Sequence, residues 1–222
     1  MSILLDARHM RRAYPGTPEV IALADATLHA ATAEVVAVVG PSGAGKSTLL
    51  NLLGLLDKPT SGSYALAGQD TADLSARERD RLRALELGFV FQSYHVLGSR
   101  TVFENVWLKL ATVGVERRRR QDLIEAVLAE VGLEHRTWAK AAVLSGGEKQ
   151  RLAIARAAVL SPAVLLADEP TGNLDRENAA QVLDLLRRHA SGGTAVVVIT
   201  HDAQVASWAD RVVSLSSGRT DP

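Results

Sequence analysis

Four short runs in this chain are apolar almost throughout: Glu34 to Val39, Leu87 to Phe91, Ala163 to Ala167 and Thr194 to Thr200. Runs of this length, rich in Val and Ile and hydrophobic on both faces, predict buried strands of a parallel sheet. A different rhythm opens the chain. Ser2 to Leu5 and then Val20 to Ala31 alternate apolar and polar residues about Tyr14-Pro15-Gly16-Thr17-Pro18, which reads as exposed strands joined by a hairpin-like turn. Ser63 to Leu66 adds a short strand closing at Gly68, and Arg211 to Leu215 a last one. Helical periodicity fills the intervals, with helices expected over Lys46 to Leu56, Ala76 to Leu85 (capped at Leu74-Ser75) and Arg176 to Ala190, the last ending at Ser191-Gly192-Gly193. From Thr101 to Leu160 the pattern is helical throughout: Thr101 to Ala111, Arg118 to Val131 and Gly147 to Leu160, with a break near His135 to Ala142. The fold class is therefore α/β. A helical lobe, residues 92–160, is inserted into an α/β lobe made of residues 1–91 and 161–222.

Composition narrows the partners. The chain has 222 residues, 47% of them hydrophobic, enough for a substantial core in one domain. Lys plus Arg and Asp plus Glu both number 25, so no overall basic field exists to draw in nucleic acid. The arginines of residues 77–83 alternate with Glu78 and Asp80 as a solvated helix face, and Arg117 to Arg120 form a charge cluster at a helix start. Cysteine is absent, excluding disulfides and thiolate chemistry. No apolar stretch reaches 18 residues and Met1 to Arg12 has no signal-peptide core, so work at a membrane would need another protein to span it. Trp107, Trp138 and Trp208 read as core or lobe packing.

The chemistry begins at Gly40-Pro41-Ser42-Gly43-Ala44-Gly45-Lys46-Ser47-Thr48, which fits G-x-x-x-x-G-K-[ST] between a predicted strand and a predicted helix. Glycines let successive backbone N–H groups turn inward onto phosphate oxygens, and the helix N-terminus adds its positive end. Lys46 would reach the β- and γ-phosphates of a nucleotide and the Ser47 hydroxyl would ligate Mg²⁺. Ala163 to Ala167 is an apolar strand ending in Asp168-Glu169. In a nucleotide site Asp168 would hold Mg²⁺ through water, and Glu169 would polarise the attacking water.

Leu144-Ser145-Gly146-Gly147-Glu148-Lys149-Gln150-Arg151 supplies a second anion cradle, a Ser-Gly-Gly turn opening a helix. This stretch resembles the signature motif of ABC-type ATPases, and the resemblance covers essentially the whole chain. It implies a RecA-like core, an antiparallel β subdomain and an inserted helical subdomain. It also implies that Gln92 is the Q-loop residue and a Mg²⁺ ligand, that Gly172 to Asp175 form the D-loop, that His201 is the switch histidine and that Tyr14 stacks on adenine. The cofactors implied are ATP and Mg²⁺. The partners implied are a second copy of the chain, whose Ser145, Gly146 and Gly147 would close on the first copy's phosphate loop around ATP, and an integral membrane permease, with this chain cytoplasmic and peripheral on the cytoplasmic face of the cell membrane.

Leu52 to Gly62 and Leu166 to Asp175 look like the branch of the family represented by MacB, LolD and FtsE, which serves export, extraction or cell-division signalling. The sequence departs from that branch after Phe91 to His95, where Val96-Leu97-Gly98-Ser99-Arg100 replaces the usual Leu-Leu-Pro. The surface from Gln92 to Glu104, with Tyr94, Val96, Leu97, Val102 and Phe103, reads as a docking cleft for a membrane partner. A soluble repair or translation ATPase is the alternative: the former would carry a long coiled coil before the signature and the latter two cassettes.

Overall fold

A computed structural model describes residues 2–221. The amino-terminal part is antiparallel. β1 (Ile3–Tyr14) and β2 (Val20–Ala31) pair along their length with several register shifts. β3 (Val35–Val39) then enters the interior, and α1 (Lys46–Leu53) follows it. This helix is shorter than the predicted span to Leu56. Leu55 adopts a left-handed backbone at φ 55, and the Leu56 N–H turns back to the Asn51 carbonyl at 2.8 Å, closing the helix with a C-terminal turn.

β4 (Ser61–Leu66) and a two-residue β5 (Gln69–Asp70) complete the antiparallel part. α2 (Ala76–Glu86) starts from a capping box, in which Ser75 and Glu78 satisfy each other's backbone N–H groups, and leads directly into β6 (Leu87–Phe91). α3 (Val102–Thr112) is capped in the same way by Thr101 and Glu104, and α4 (Arg117–Glu130) follows. Two 3₁₀ turns, Glu134–Arg136 and Ala141–Val143, fill the expected break before α5 (Gly146–Ala158). The rest alternates: β7 (Val164–Asp168), α6 (Arg176–Ser191), β8 (Ala195–Thr200), α7 (Ala203–Trp208), β9 (Arg211–Ser216) and β10 (Arg219–Thr220). The hydrophobic pattern did not reveal β5, α7 or β10. These elements have two, six and two residues, too few for a period to repeat.

The strands run in the order β5-β4-β1-β2-β10-β9-β3-β8-β7-β6. From β9 to β6 they are parallel. Alternate residues of each central strand face opposite layers, as the two-fold period of a strand requires. Val36 and Val38, Leu166, Val197 and Ile199 join α1 and the antiparallel strands in one buried cluster. Val35, Leu165, Ala167, Val196 and Val198 join α3 to α6 in the other. The inserted helices thus share an apolar layer with the central sheet, and α5 lies on β6.

Trp107 and Trp208 pack against that second layer, each beneath an arginine guanidinium (Arg120 at 5.1 Å and Arg187 at 4.8 Å). Trp138 departs from the packing expectation. It stacks on Phe103 but stays 72% exposed.

Candidate active site

The loop after β3 and the start of α1 are shaped by one glycine above all. Gly45 caps α1 at φ 102 and ψ 8 with no side-chain hydrogen bond, a conformation an L side chain rarely adopts, and a Cβ there would stand 2.5 Å from the Ala22 carbonyl of β2. The N–H groups of Lys46, Ser47 and Thr48, in the first helical turn, therefore point away from the helix. They border an open cleft of about 620 Å³, lined also by Ser42 and Gly43, by Val20, Ile21 and Ala22 of β2, and by Ser217 and Gly218. The Lys46 Nζ lies over the same loop, donating to the carbonyls of Gly40 (2.6 Å) and Pro41 (2.8 Å).

Strand register brings the other candidate groups to this place. Val39 pairs with Thr200, Ile199 with Asp168, and Asp168 with Phe91. Gly40, His201, Glu169 and Gln92 consequently leave the sheet along one edge, the carboxyl ends of parallel strands where open α/β sheets bind ligands. Glu169 is held on every side. Its backbone is left-handed at φ 45, and its N–H donates to the Ile199 carbonyl at 2.9 Å. Its Oε1 accepts from the His201 N–H at 3.0 Å and from His201 Nδ1 at 2.5 Å, while Oε2 accepts from the Thr200 hydroxyl at 3.1 Å. A carboxylate can only accept, so Nδ1 carries the proton in this contact. The side chain of Glu169 is 15% exposed and that of His201 75%. Asp168, half-buried beside it, has its carboxyl pushed above the usual range, first by burial and then by the Glu169 charge, with Lys46 pulling the other way.

Gln92 lies beside these groups and is tied to Asn173, inside the Gly172 to Asp175 stretch. Its Nε2 donates to Asn173 Oδ1 (3.2 Å) and Asn173 Nδ2 donates back to the Gln92 carbonyl (3.0 Å), leaving the side-chain oxygen of Gln92 as its free ligand-type atom. Ser145, Gly146 and Gly147 are not among the residues lining the phosphate-loop cleft. The Ser145 hydroxyl accepts from the Glu148 N–H at 3.2 Å in a capping box that starts α5. Asp175 caps α6, accepting from the N–H and side-chain amide of Asn178, bonds that hold its carboxyl below the usual range.

Tyr14 is also outside the cleft lining. Its hydroxyl donates to Asp57 at 3.0 Å, and the Arg12 guanidinium covers one ring face at 4.3 Å. Motif reading missed Val20 and Ile21, whose only signal was their place in an alternating strand.

The sequence pattern of the ABC transporter family matches residues 23–172. The chain belongs to the ABC transporter family. Its relatives include the macrolide export ATP-binding/permease protein MacB of Escherichia coli O157:H7 and that of Shigella boydii, each 45% identical over 219 residues. That match takes in 98% of this chain and 34% of either relative, so the chain spans about a third of their length. Among solved structures, the ATP-binding cassette MJ0796 bound to ADP and Pi superposes with a TM-score of 0.87 at 35% identity, covering 98% of this chain and 97% of that one. The protein cbiO1 of Clostridium perfringens, part of the ABC transporter complex cbiONQ, gives 0.88 at 27% identity, over 100% and 88%. This ABC chain is thus an ATP-binding and ATP-hydrolysing cassette of the transporter kind, and a match with MacB along nearly its whole length does not favour a soluble repair or translation ATPase. Among the described residues no helix is long and apolar enough to cross a membrane.

Proposed function

We propose that this cassette powers export or extraction through a MacB-like membrane protein, on whose cytoplasmic side it works as a head-to-tail pair. The observation that carries the catalytic part is the edge at which Gly40, His201, Glu169 and Gln92 emerge together, with both carboxylate oxygens of Glu169 already oriented. The phosphates of ATP lie on the loop from Gly40 to Thr48, with Lys46 exchanging its carbonyl partners for β- and γ-phosphate oxygens. Glu169 takes a proton from the attacking water. His201 fixes the carboxylate and touches the γ-phosphate side of the site, and Tyr14 offers its uncovered ring face to adenine.

The donor set fits Mg²⁺. Ser47, Gln92 and Asp168 present a hydroxyl, an amide oxygen and one carboxylate, the hard oxygen donors that Mg²⁺ shares with nucleotide phosphates. Among the described residues no cluster of three or more His, Cys, Asp or Glu side chains offers a different metal a cage. When bound, the ion neutralises charge on the phosphate oxygens. For this cassette the protein's own work is to position water and phosphate and to keep Asp168 ionised, for which Lys46 is the favourable neighbour.

Pairing is supported by the separate positions of the two cradles. Ser145, Gly146, Gly147 and Asp175 lie outside the cleft that Lys46 borders, and MJ0796 is itself described as a dimer. The membrane partner and the export role rest on the MacB match. Two substitutions test the site. Lys46→Ala should abolish ATP binding, whereas Glu169→Gln should bind ATP normally and turn over roughly 10²–10⁴-fold more slowly. Weak nucleotide binding by Glu169→Gln with turnover preserved would remove Glu169 from the role of base.

A further inference from the structure

Gln150 lies one turn into α5, on the same side of the helix as Gly146 and Gly147. It is fully buried, and its Nε2 donates a short hydrogen bond, 2.6 Å, to the carbonyl of Pro170. Among the described residues its buried Oε1 has no hydrogen-bond partner. A side chain that served only to fill space here would be better apolar, since burying an unpaired amide oxygen opposes folding. The amide must therefore act through the one bond it makes.

That bond holds the residue next to Glu169. Pro170 is buried, and the turn it belongs to is closed by the Gly172 N–H donating to the Glu169 carbonyl at 3.1 Å. The left-handed backbone of Glu169 resists that turn, because a side chain with a Cβ is strained there. Further along, the same turn is tied to Gln92 through Asn173. The Pro170 carbonyl is thus the point at which the helix carrying Ser145 to Gly147 grips the segment carrying the base. Gly147 brings α5 and α6 close enough for this, since a Cβ there would overlap the Asn178 side chain at 1.9 Å.

We propose that Gln150 is a positioning residue for ATP hydrolysis, transmitting the placement of the Ser145–Gly147 turn to the carboxylate of Glu169 through the Pro170 carbonyl. The inference rests on the reading of Glu169 as the base. Gln150→Met keeps the volume and removes the donor. It should leave the thermal midpoint and ATP affinity unchanged while lowering kcat about tenfold at saturating ATP, since a small displacement of a catalytic group is costly. Gln150→Glu supplies a second measurement, because only its protonated form can donate to the Pro170 carbonyl. Its kcat relative to the unmodified protein should rise as the pH is lowered.

A folded Gln150→Met protein with undiminished kcat overturns the proposal. Should that variant not fold, a pH-independent ratio for Gln150→Glu does so. Glu169→Gln measured alongside separates the two ideas: if it is inactive while Gln150→Met is fully active, the positioning role fails and the base stands, and if it turns over normally, the base itself was misassigned.

Discussion

Tyr14 sets two uses of one aromatic ring against each other. Within the chain its hydroxyl meets Asp57 and its face meets Arg12, and Arg12 is itself paired to Asp57 at 2.8 Å, so the ring belongs to a small polar cluster at the end of β1. A purine can use only the face that Arg12 leaves uncovered. If it does, Tyr14→Ala should weaken ATP binding by about 1–3 kcal/mol, the range for loss of a base-stacking aromatic, while Tyr14→Phe should bind almost normally in a calorimetric titration. Equal affinity for Ala and Tyr would leave the ring with the Arg12 and Asp57 cluster alone. Residues of this kind mark where sequence reading stops. The phosphate loop and the Asp168-Glu169 pair announce themselves because a fixed spacing carries their chemistry. Asn173 and Gln150 stand inside motif stretches, Gly172 to Asp175 and Leu144 to Arg151, but what each one holds does not show there, because its partner is 81 or 20 residues away and only the folded chain brings it near.

At the level of elements, the segment between β6 and α3 was expected to expose a run of apolar side chains. The structure divides that run. Val102 is fully buried, Val96 and Phe103 pack against the helical layer, and Tyr94 has its carbonyl held by Arg156 at 3.1 Å. Leu97 remains, 47% exposed, and it is the residue at which introducing a charge is informative. Leu97→Asp should leave folding and basal ATPase activity unchanged and abolish retention in the membrane fraction of cells expressing it with its partner. If the variant still sediments with membranes, docking occurs elsewhere. Tyr94→Asp is a poorer probe, since Tyr94 is only partly exposed and its hydroxyl lies against Gly146 at the start of α5. The start of α5 carries a pH-dependent contribution. Glu148 accepts from the Ser145 N–H and pairs with Arg136 at 3.0 Å, which together hold its carboxyl below the ordinary value of 4.5 against the opposing effect of burial. A carboxylate lowered by folding stabilises above that ordinary value, and the contribution is lost as the pH falls through the folded value. The thermal midpoint of Glu148→Gln should therefore lie below that of the unmodified protein at pH 7, with the gap closing on acidification. A gap that is constant with pH would show that the Glu148 charge does not contribute. Capping boxes of this kind are readable from sequence, and α2, α3 and α5 begin at or within one residue of where the pattern put them.

For the whole molecule, the question is what brings two neutral chains together. With 25 residues of each sign, like-charge repulsion between copies is weak, but so is any general attraction. The exposed large apolar residues are spread along the chain, from Ile3 through Val20, Ile21 and Leu56 to Val212, rather than gathered in one segment. In the proposed pair, association comes from a ligand that contacts both copies. On that proposal, a nucleotide on the loop from Gly40 to Thr48 would present phosphate oxygens outward from the cleft, and the Ser145 to Gly147 turn of a second copy would offer a hydroxyl, backbone N–H groups and a helix N-terminus to them. A ligand bound only by the dimer stabilises it by mass action, about 2.7 kcal/mol when its concentration is 100 times its Kd. Hydrolysis would dissipate that stabilisation, so Glu169→Gln is the form in which to look for it. In sedimentation velocity, Glu169→Gln with Mg-ATP should run as a dimer, the same protein without nucleotide as a monomer, and Glu169→Gln combined with Ser145→Arg as a monomer in both conditions. A dimer that persists without nucleotide, or one indifferent to Ser145→Arg, would mean that the two cradles do not close on a shared ATP.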